Sequence, residues 1–465
     1  MINKNSIFQI LFGMINKISY LCDMEIISRD IYINHIMRFL DKGLMIALTG
    51  QRRVGKSYIL RELASRIRDT KPDANIVYIN KEKKKYDGIR TDSDLSAYLA
   101  DKLPDGGENY LLIDEVQDIR GFENTLRSLN SDEECQIIVT GSNAKMLSSE
   151  LSTYLGGRYI DIHIQSLSYR EFLRFHNLTD SDESLDRYLS VGGLPHLYRL
   201  GLENADMIWE YIQNIYNTIV LKDVVQREGL RNVTMFENLI SFISDNTGQL
   251  VSATSLSKYL KSQRIELTPL SAINYLKAAS NAYIINKVQR YDIHGKKLLE
   301  TNDKYYFEDL GLRNLLVGNN RARDIEKIIE NAVYLHLKNL GYKVSVGALP
   351  GAEIDFVAEK NGAVLYFQVA YLLADTATVE REFGNLLKIQ DNYPKYVISM
   401  DPIVSPKDYE GVTQLPLRRF LMTESFWPLL LFPNGAIGGR DGVGVDSDLV
   451  DCDKMSNFGA DFQKF

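Results

Sequence analysis

Residues 44–57 read LMIALTGQRRVGKS, and this stretch decides the fold. Met45, Ile46, Ala47 and Leu48 form a short apolar run, the pattern of a buried strand. The run leads into Gly50, Gln51, Arg52, Arg53, Val54, Gly55, Lys56 and Ser57, which fits G-x-x-x-x-G-K-S. The glycines let the backbone wind close around a phosphate chain with successive N–H groups turned inward. Lys56 brings a cation long enough to reach the outer phosphates. The Ser57 hydroxyl is a hard oxygen ligand for Mg2+. A helix predicted over residues 58–68, opening at Tyr58, aims the positive end of its dipole at the same point. The run 50–58 is therefore the candidate nucleotide-binding segment, and it implies ATP and Mg2+.

Further along, apolar strands are predicted at 75–80, 110–115, 136–140 and 159–165. They alternate with helices at 93–103, 122–130 and 169–176, and a helix over 31–40 leads into the first strand. Such alternation means an α/β fold with a parallel sheet covered on both faces. The strand YLLIDE closes on Asp114 and Glu115. Asp114 is a Mg2+ ligand candidate, and Glu115 is the candidate catalytic base that orients the attacking water. The fourth strand ends in Thr140-Gly141-Ser142-Asn143, where a polar side chain lies between the two motifs and senses the terminal phosphate. Ser142 and Asn143 both qualify; Asn143 is the preferred candidate. Arg158, after Gly156-Gly157, is a candidate catalytic arginine acting on the nucleotide of a neighbouring subunit, which implies a homo-oligomer. Arg52 and Arg53 sit inside the loop; either can touch phosphate, but residues so placed more often pack or face a partner.

A chain of 465 residues is long enough for several cores. A net charge of −7 excludes a protein that coats nucleic acid with its whole surface and leaves room for a local basic face. Cys22, Cys135 and Cys452 lie far apart, with neither metal spacing nor a disulfide framework, which suits a cytoplasmic location. No run approaches the roughly 20 apolar residues of a membrane span, so no membrane partner is expected. Residues 1–23 contain the apolar run IFQILFGMI at 7–15. They read as an N-terminal extension, since a signal peptide wants a longer apolar core and a small-residue cleavage site. Residues 424–465 are rich in glycine and aspartate without apolar periodicity and read as a disordered tail.

GQRRVGKS, YLLIDEVQ, TGSNA, the GGR before a strand, SLSYREFL at 166–173 and GGLP at 192–195 resemble, in combination, a large prokaryotic family of AAA-type ATPases. In that family a C-terminal region of unknown function follows the ATPase core. The resemblance spans about residues 24–423. It implies an AAA (ASCE-type) P-loop NTPase core at 24–178 and a helical lid at 179–232, with GGLP as a hinge or a simple interhelical turn.

Residues 233–318 carry three predicted helices and two strands, at 283–288 and 297–306, around a tip at His294, Gly295 and Lys296. That is a winged-helix pattern. Within 251–300, eight Lys/Arg stand against three acids. A DNA-binding face is one reading. A protein-interaction or structural joint is the other, because the third helix, LSAINYLKAAS, carries few groups for reading bases. Residues 319–423 resemble the restriction-endonuclease-like (PD-(D/E)xK-like) fold. Glu330 and Asp355 match two of its acids, but Gln368-Val369-Ala370 stands where an acid-x-Lys belongs. The domain therefore reads as degenerate, kept for binding or scaffolding. The expected function is a Mg2+-dependent ATPase coupled to a DNA- or protein-binding C-terminal region. A slow-turnover nucleotide switch is the alternative, and Gln368 and Ala370 disfavour an active nuclease.

Overall fold

Strand β1 (Met45–Thr49) is buried along its whole length. Its alternate residues feed two cores: Met45 and Ala47 face one side, Ile46 and Leu48 the other. A strand buried on both faces needs no polar alternation. The computed structural model describes residues 27–104, 106–131, 135–144, 156–299, 302–318, 321–373, 375–401 and 409–426. The expected N-terminal extension, and all but the first residues of the expected tail, lie outside these. By its contacts the chain divides into Met1–Thr423 and Glu424–Phe465, and the architecture below is that of the first unit.

Helix α1 (Asp30–Met37) precedes β1, and α2 (Lys56–Thr70) follows the phosphate loop. Then come β2 (Asn75–Asn80), α3 (Asp92–Leu99), β3 (Asn109–Asp114), α4 (Phe122–Ser131), β4 (Gln136–Thr140), β5 (Tyr159–His163) and α5 (Tyr169–His176). The five strands form one parallel sheet in the order β2-β3-β4-β1-β5. This is an α/β P-loop NTPase core. With β4 between β1 and β3, the residues that follow it lie between the loop and Asp114. The expected strand 159–165 stops at His163, because its neighbour β1 ends opposite it at Thr49. The expected helix 31–40 stops at Met37, and Asp41 turns the chain with φ 59°.

The next segment is helical: α6 (Asp182–Val191), α7 (Leu197–Leu200) and α8 (Ala205–Thr218), the last running into a π-helical stretch, Ile219–Gln226. Helices α9 (Val233–Asp245), α10 (Ala253–Ser262) and α11 (Pro269–Asn281) share a core with it. Thr268 caps α11, and Pro269 sits in its first turn, where its missing N–H costs no hydrogen bond. The hairpin is more divided than expected. Strands β6 (Ile285–Val288) and β9 (Lys304–Phe307) pair as a two-stranded sheet. Strands β7 (Arg290–Asp292) and β8 (Lys297–Leu298), at its tip, instead extend the last sheet. The expected strand 297–306 is broken because its two halves pair with different partners.

After α12 (Leu310–Val317) and α13 (Arg321–Asn339) come β10 (Lys343–Leu349), β11 (Ala352–Lys360), β12 (Ala363–Val369), α14 (Thr376–Leu387), β13 (Lys395–Ser399), β14 (Val412–Pro416) and α15 (Leu417–Met422). Their sheet runs β14-β13-β12-β11-β10-β7-β8. Helices α13 and α15 cover one face, where Tyr334 meets Phe356 and Phe420 meets Phe367. Phe383 and Leu386 of α14 pack with Val357, Tyr366 and Val397. A division of the chain at 318/319 therefore runs through this sheet.

The SLSYREFL segment has a structural task. Ser168 and Glu171 form a capping box at α5. Glu171 also takes both prongs of the buried Arg29 guanidinium at 2.8 Å. Arg29 donates in addition to the carbonyls of Val54, inside the phosphate loop, and Gln165. Removing Glu171 strands a buried cation, which costs about 3–5 kcal/mol. Glu171→Ala is expected to lower the unfolding midpoint by several degrees. Arg174→Ala, which breaks an exposed pair with Asp30, is expected to shift it by a small fraction of that. Scanning calorimetry of the two variants checks this.

Candidate functional site

The phosphate loop bends where its glycines allow it. Gly50 has φ 132°, and a Cβ there would lie 2.2 Å from the Ile164 carbonyl oxygen. Any side chain at 50 would push the loop off β5's exit. Gly55 (φ 102°) opens α2. Arg53 is also left-handed, with φ 68°, and its side chain is exposed.

Lys56, Ser57, Asp114 and Glu115 converge at the end of the sheet. The Ser57 hydroxyl donates to Asp114 Oδ1 at 3.0 Å, as does that of Thr140 at 2.7 Å. Asn80 donates to Asp114 Oδ2 at 2.8 Å. Burial raises the pKa of Asp114 above the ordinary carboxylate value. Ser57 and Asp114 supply hard oxygens side by side, a donor set that fits Mg2+ completed by phosphate and water oxygens. Burial also pushes the Glu115 carboxyl up, but Lys56 and Arg52 outweigh it and hold the group below its usual pKa. Lys56 is buried, its pKa lowered by desolvation. Its ammonium folds back onto the loop's own carbonyls, Gly50 at 2.8 Å and Gln51 at 2.7 Å.

Of the two residues after β4, Ser142 is the one beside Glu115, donating to its Oε2 at 3.2 Å. The preferred candidate Asn143 donates instead to Glu228, beyond the π-helical stretch, at 3.3 Å. The choice turns on which side chain faces the cleft after the strand ends, and strand periodicity does not extend that far. Arg158 is exposed at the start of β5, at the opposite end of the sheet from the phosphate loop. It takes no part in its own chain's site.

Two residues here, Asp223 and Arg227, carried no motif. Arg52 forms a two-pronged pair with Asp223 of the π-helical stretch, Nε to Oδ2 at 2.6 Å and Nη2 to Oδ1 at 3.0 Å. Arg227 donates to the same Asp223 Oδ1 at 2.6 Å and to Ser142 at 2.9 Å. Asp223 and Arg227 are four apart on an amphipathic helix, a spacing that reads as a solvated ion pair. Only the packing of that helix turns them inward. The Gln51 amide reaches out of the loop to the carbonyl of Tyr283 at 2.7 Å. A cleft of about 540 Å³ opens beside the loop. Lys56, Ser57, Tyr58, Tyr198, Arg199 and Tyr211 are among the residues that line it. Its size is that of a small-ligand site.

At GGLP, Gly193 is pressed against Leu167: a Cβ would lie 2.3 Å from the Leu167 carbonyl oxygen. Its N–H donates to Asp309 at 2.9 Å, and Asp309 also caps α12. The turn is therefore a tight docking joint between the helical segment and the rest.

The acids of the last sheet come together around a cation from elsewhere in the chain. Lys304 of β9 reaches Glu353 at 2.9 Å, Glu330 at 3.0 Å and Asp355 at 3.5 Å. Its side chain is 3% exposed. The Tyr306 hydroxyl donates to Glu330 at 2.6 Å, and Gln368 Oε1 accepts the backbone N–H of Asp355 at 3.4 Å. Burial and the neighbouring Glu330 raise Asp355 to about 7. A carboxyl raised in the folded state binds protons that the unfolded chain has released, so its contribution to stability falls as pH rises from about 4 to 7. Asp355→Asn is expected to flatten that slope. Lys304→Met leaves three half-buried acids without their cation and is expected to destabilise most at high pH. Urea unfolding between pH 5 and 8 checks both.

Residues 42–173 match the AAA domain family, and residues 182–323 match a domain of unknown function (DUF8612). Among solved structures, the Walker-type ATPase PABY2304 of Pyrococcus abyssi aligns at 16% identity and a TM-score of 0.44, over 62% of this chain and 95% of its own. The uncharacterised protein MJ1544 of Methanocaldococcus jannaschii is 26% identical over 399 residues, covering 82% of this chain and 85% of its own. An uncharacterised protein of Haemophilus influenzae is 35% identical over 379 residues, 80% of this chain and 93% of its own. At that identity and coverage the chain belongs to one family with the Haemophilus influenzae protein.

Proposed function

We propose that the chain binds ATP in the cleft beside the phosphate loop and hydrolyses it with Mg2+. The observation that carries this is the convergence of Lys56, Ser57, Asp114 and an ionised Glu115 at one end of the parallel sheet. The backbone of residues 50–57 and Lys56 hold the phosphates, and Tyr58 borders the cleft. Ser57 and Asp114 hold Mg2+, which when bound neutralises phosphate charge. Glu115 accepts the proton of the attacking water. Ser142, which contacts Glu115, takes the phosphate-sensing role first assigned to Asn143. Arg158 acts, if at all, on a neighbouring subunit's nucleotide, which requires a homo-oligomer.

Residues 233–318 are read as a winged helix that binds DNA or protein. Lys258, Lys261, Arg264 and Lys277 are exposed there and favour DNA. Leu270 and Ile273, 69% and 51% exposed on α11, favour a protein. The last sheet is read as a degenerate nuclease whose acids serve as a joint: the Lys304 ammonium supplies the positive charge that a metal ion would bring to such acids. A second reading, a slowly cycling nucleotide switch, is favoured by the way Lys56 is folded onto loop carbonyls.

Lys56→Ala is expected to weaken ATP binding about 10–100-fold, the size of a charged hydrogen bond. Glu115→Gln is expected to retain binding and lose about 10²–10⁴ in turnover. Calorimetry and a steady-state phosphate-release assay check these. Run against protein concentration and with added DNA, the same assay tests the other roles. Turnover per subunit that rises with concentration, and flattens in Arg158→Ala, supports the trans arginine. Stimulation by DNA supports a DNA-binding wing. A burst of full wild-type activity from Glu115→Gln would remove it from the mechanism. The protein is also expected to leave plasmid DNA intact with Mg2+ or Mn2+, and nicking abolished by Asp355→Ala would overturn the degenerate-nuclease reading.

A further inference from the structure

Lys56, Arg52 and Arg227 lie at the phosphate end of the sheet, and each is already engaged by the protein. Lys56 bonds loop carbonyls, and Arg52 and Arg227 share one carboxylate, Asp223. Asp223 is 1% exposed and lies one residue from the reacting centre: Ser142 donates to it at 3.4 Å and to Glu115 at 3.2 Å. A carboxylate gripped by two arginines in this position presents the same recognition chemistry as a terminal phosphate. Both are oxyanions that accept the planar two-pronged donation of a guanidinium.

We propose that Asp223 stands in for the outermost phosphate of ATP, and that ATP displaces it from Arg52 and Arg227 whereas ADP does not. This rests on the ATP-binding reading above. A third phosphate brought to the loop would place its negative charge beside Glu115 and Asp223 together. Like charges in a buried site repel, so the carboxylate yields the arginines to the phosphate. ADP ends one phosphate short and leaves the pair intact. The consequence reaches the helical segment, because Asp223 sits on the π-helical stretch that continues α8. Tyr211, Asn214 and Thr218 of that helix line the cleft. Wide π turns are strained interruptions of a helix and recur at functional sites. The exchange therefore makes the position of α8 depend on whether the third phosphate is present.

The test compares a non-hydrolysable ATP analogue with ADP, both with Mg2+, on the full chain. Asp223→Asn keeps the shape and removes the competing charge. By calorimetry it is expected to tighten the analogue about tenfold, within the usual range of coupling between sites, and to move ADP less than about twofold. An equal change for both nucleotides, or a weaker analogue, overturns the proposal. Arg227→Gln is expected to weaken the analogue and spare ADP. A second readout needs no change at the site. Trp209 lies on α8, partly buried against its core. With Trp427→Phe it is the single tryptophan of the chain. Its emission is expected to shift with the analogue and not with ADP, and an identical response to both overturns the proposal. Failure of the wild-type chain to bind either nucleotide would instead remove the ATP reading, and this inference with it.

Discussion

The Arg29 guanidinium is the contact on which the nucleotide end of the molecule depends. It lies in the protein interior with both oxygens of Glu171 and the carbonyls of Val54 and Gln165 around it. Burial alone would lower the pKa of such a cation, and Glu171 outweighs that and raises it. One side chain thereby joins the chain ahead of α1, the phosphate loop, the exit of β5 and the first turn of α5. The loop's shape is consequently a tertiary property. Its glycines permit the bend, and Arg29 and Ile164 decide where the bend sits.

The same loop is tied to the rest of the chain by polar contacts. Gln51 reaches Tyr283, Arg52 reaches Asp223, and His163 beside them pairs with the buried Glu308. Tyr283 holds φ 53° there, and its ring packs 4.9 Å from that of His163. Apolar joints tolerate sliding, because dispersion and burial are non-directional. Buried hydrogen bonds and ion pairs do not, because a partner lost in the interior costs more than the bond gains. A core joined in this way resists sliding of the loop against the helical segment and the hairpin.

At the far end, charge accounts for the arrangement of the last sheet. Glu330, Glu353 and Asp355 approach one another closely enough that an uncompensated trio would resist burial. Lys304 compensates them from a different sheet, so the charge balance of the last sheet is completed by β9. The hairpin tip adds β7 and β8 to that sheet's edge, which also protects the edge from pairing with other chains.

Much of this was legible in the sequence. The apolar run from Met45, the G-x-x-x-x-G-K-S loop and Asp114-Glu115 are local patterns, and they locate the parallel core and the phosphate end of its sheet. The helix over 169–176 is local too, and α5 spans those residues. Glu330 and Asp355 were identified by resemblance, and they do converge. What the sequence alone left open depends on side chains that meet across long separations. Ser142 and Asn143 differ in the direction each takes after β4, one toward Glu115 and the other toward Glu228. Asp223 and Arg227 carry no motif, and only the packing of the π-helical stretch brings them onto Arg52 and Ser142. Lys304 lies 26 residues before Glu330 and was one lysine among many until β9 carried it into the acids. Periodicity and motif spacing report what a residue does to its near neighbours along the chain. The partners of a buried charge are chosen by packing, and only the tertiary structure decides them.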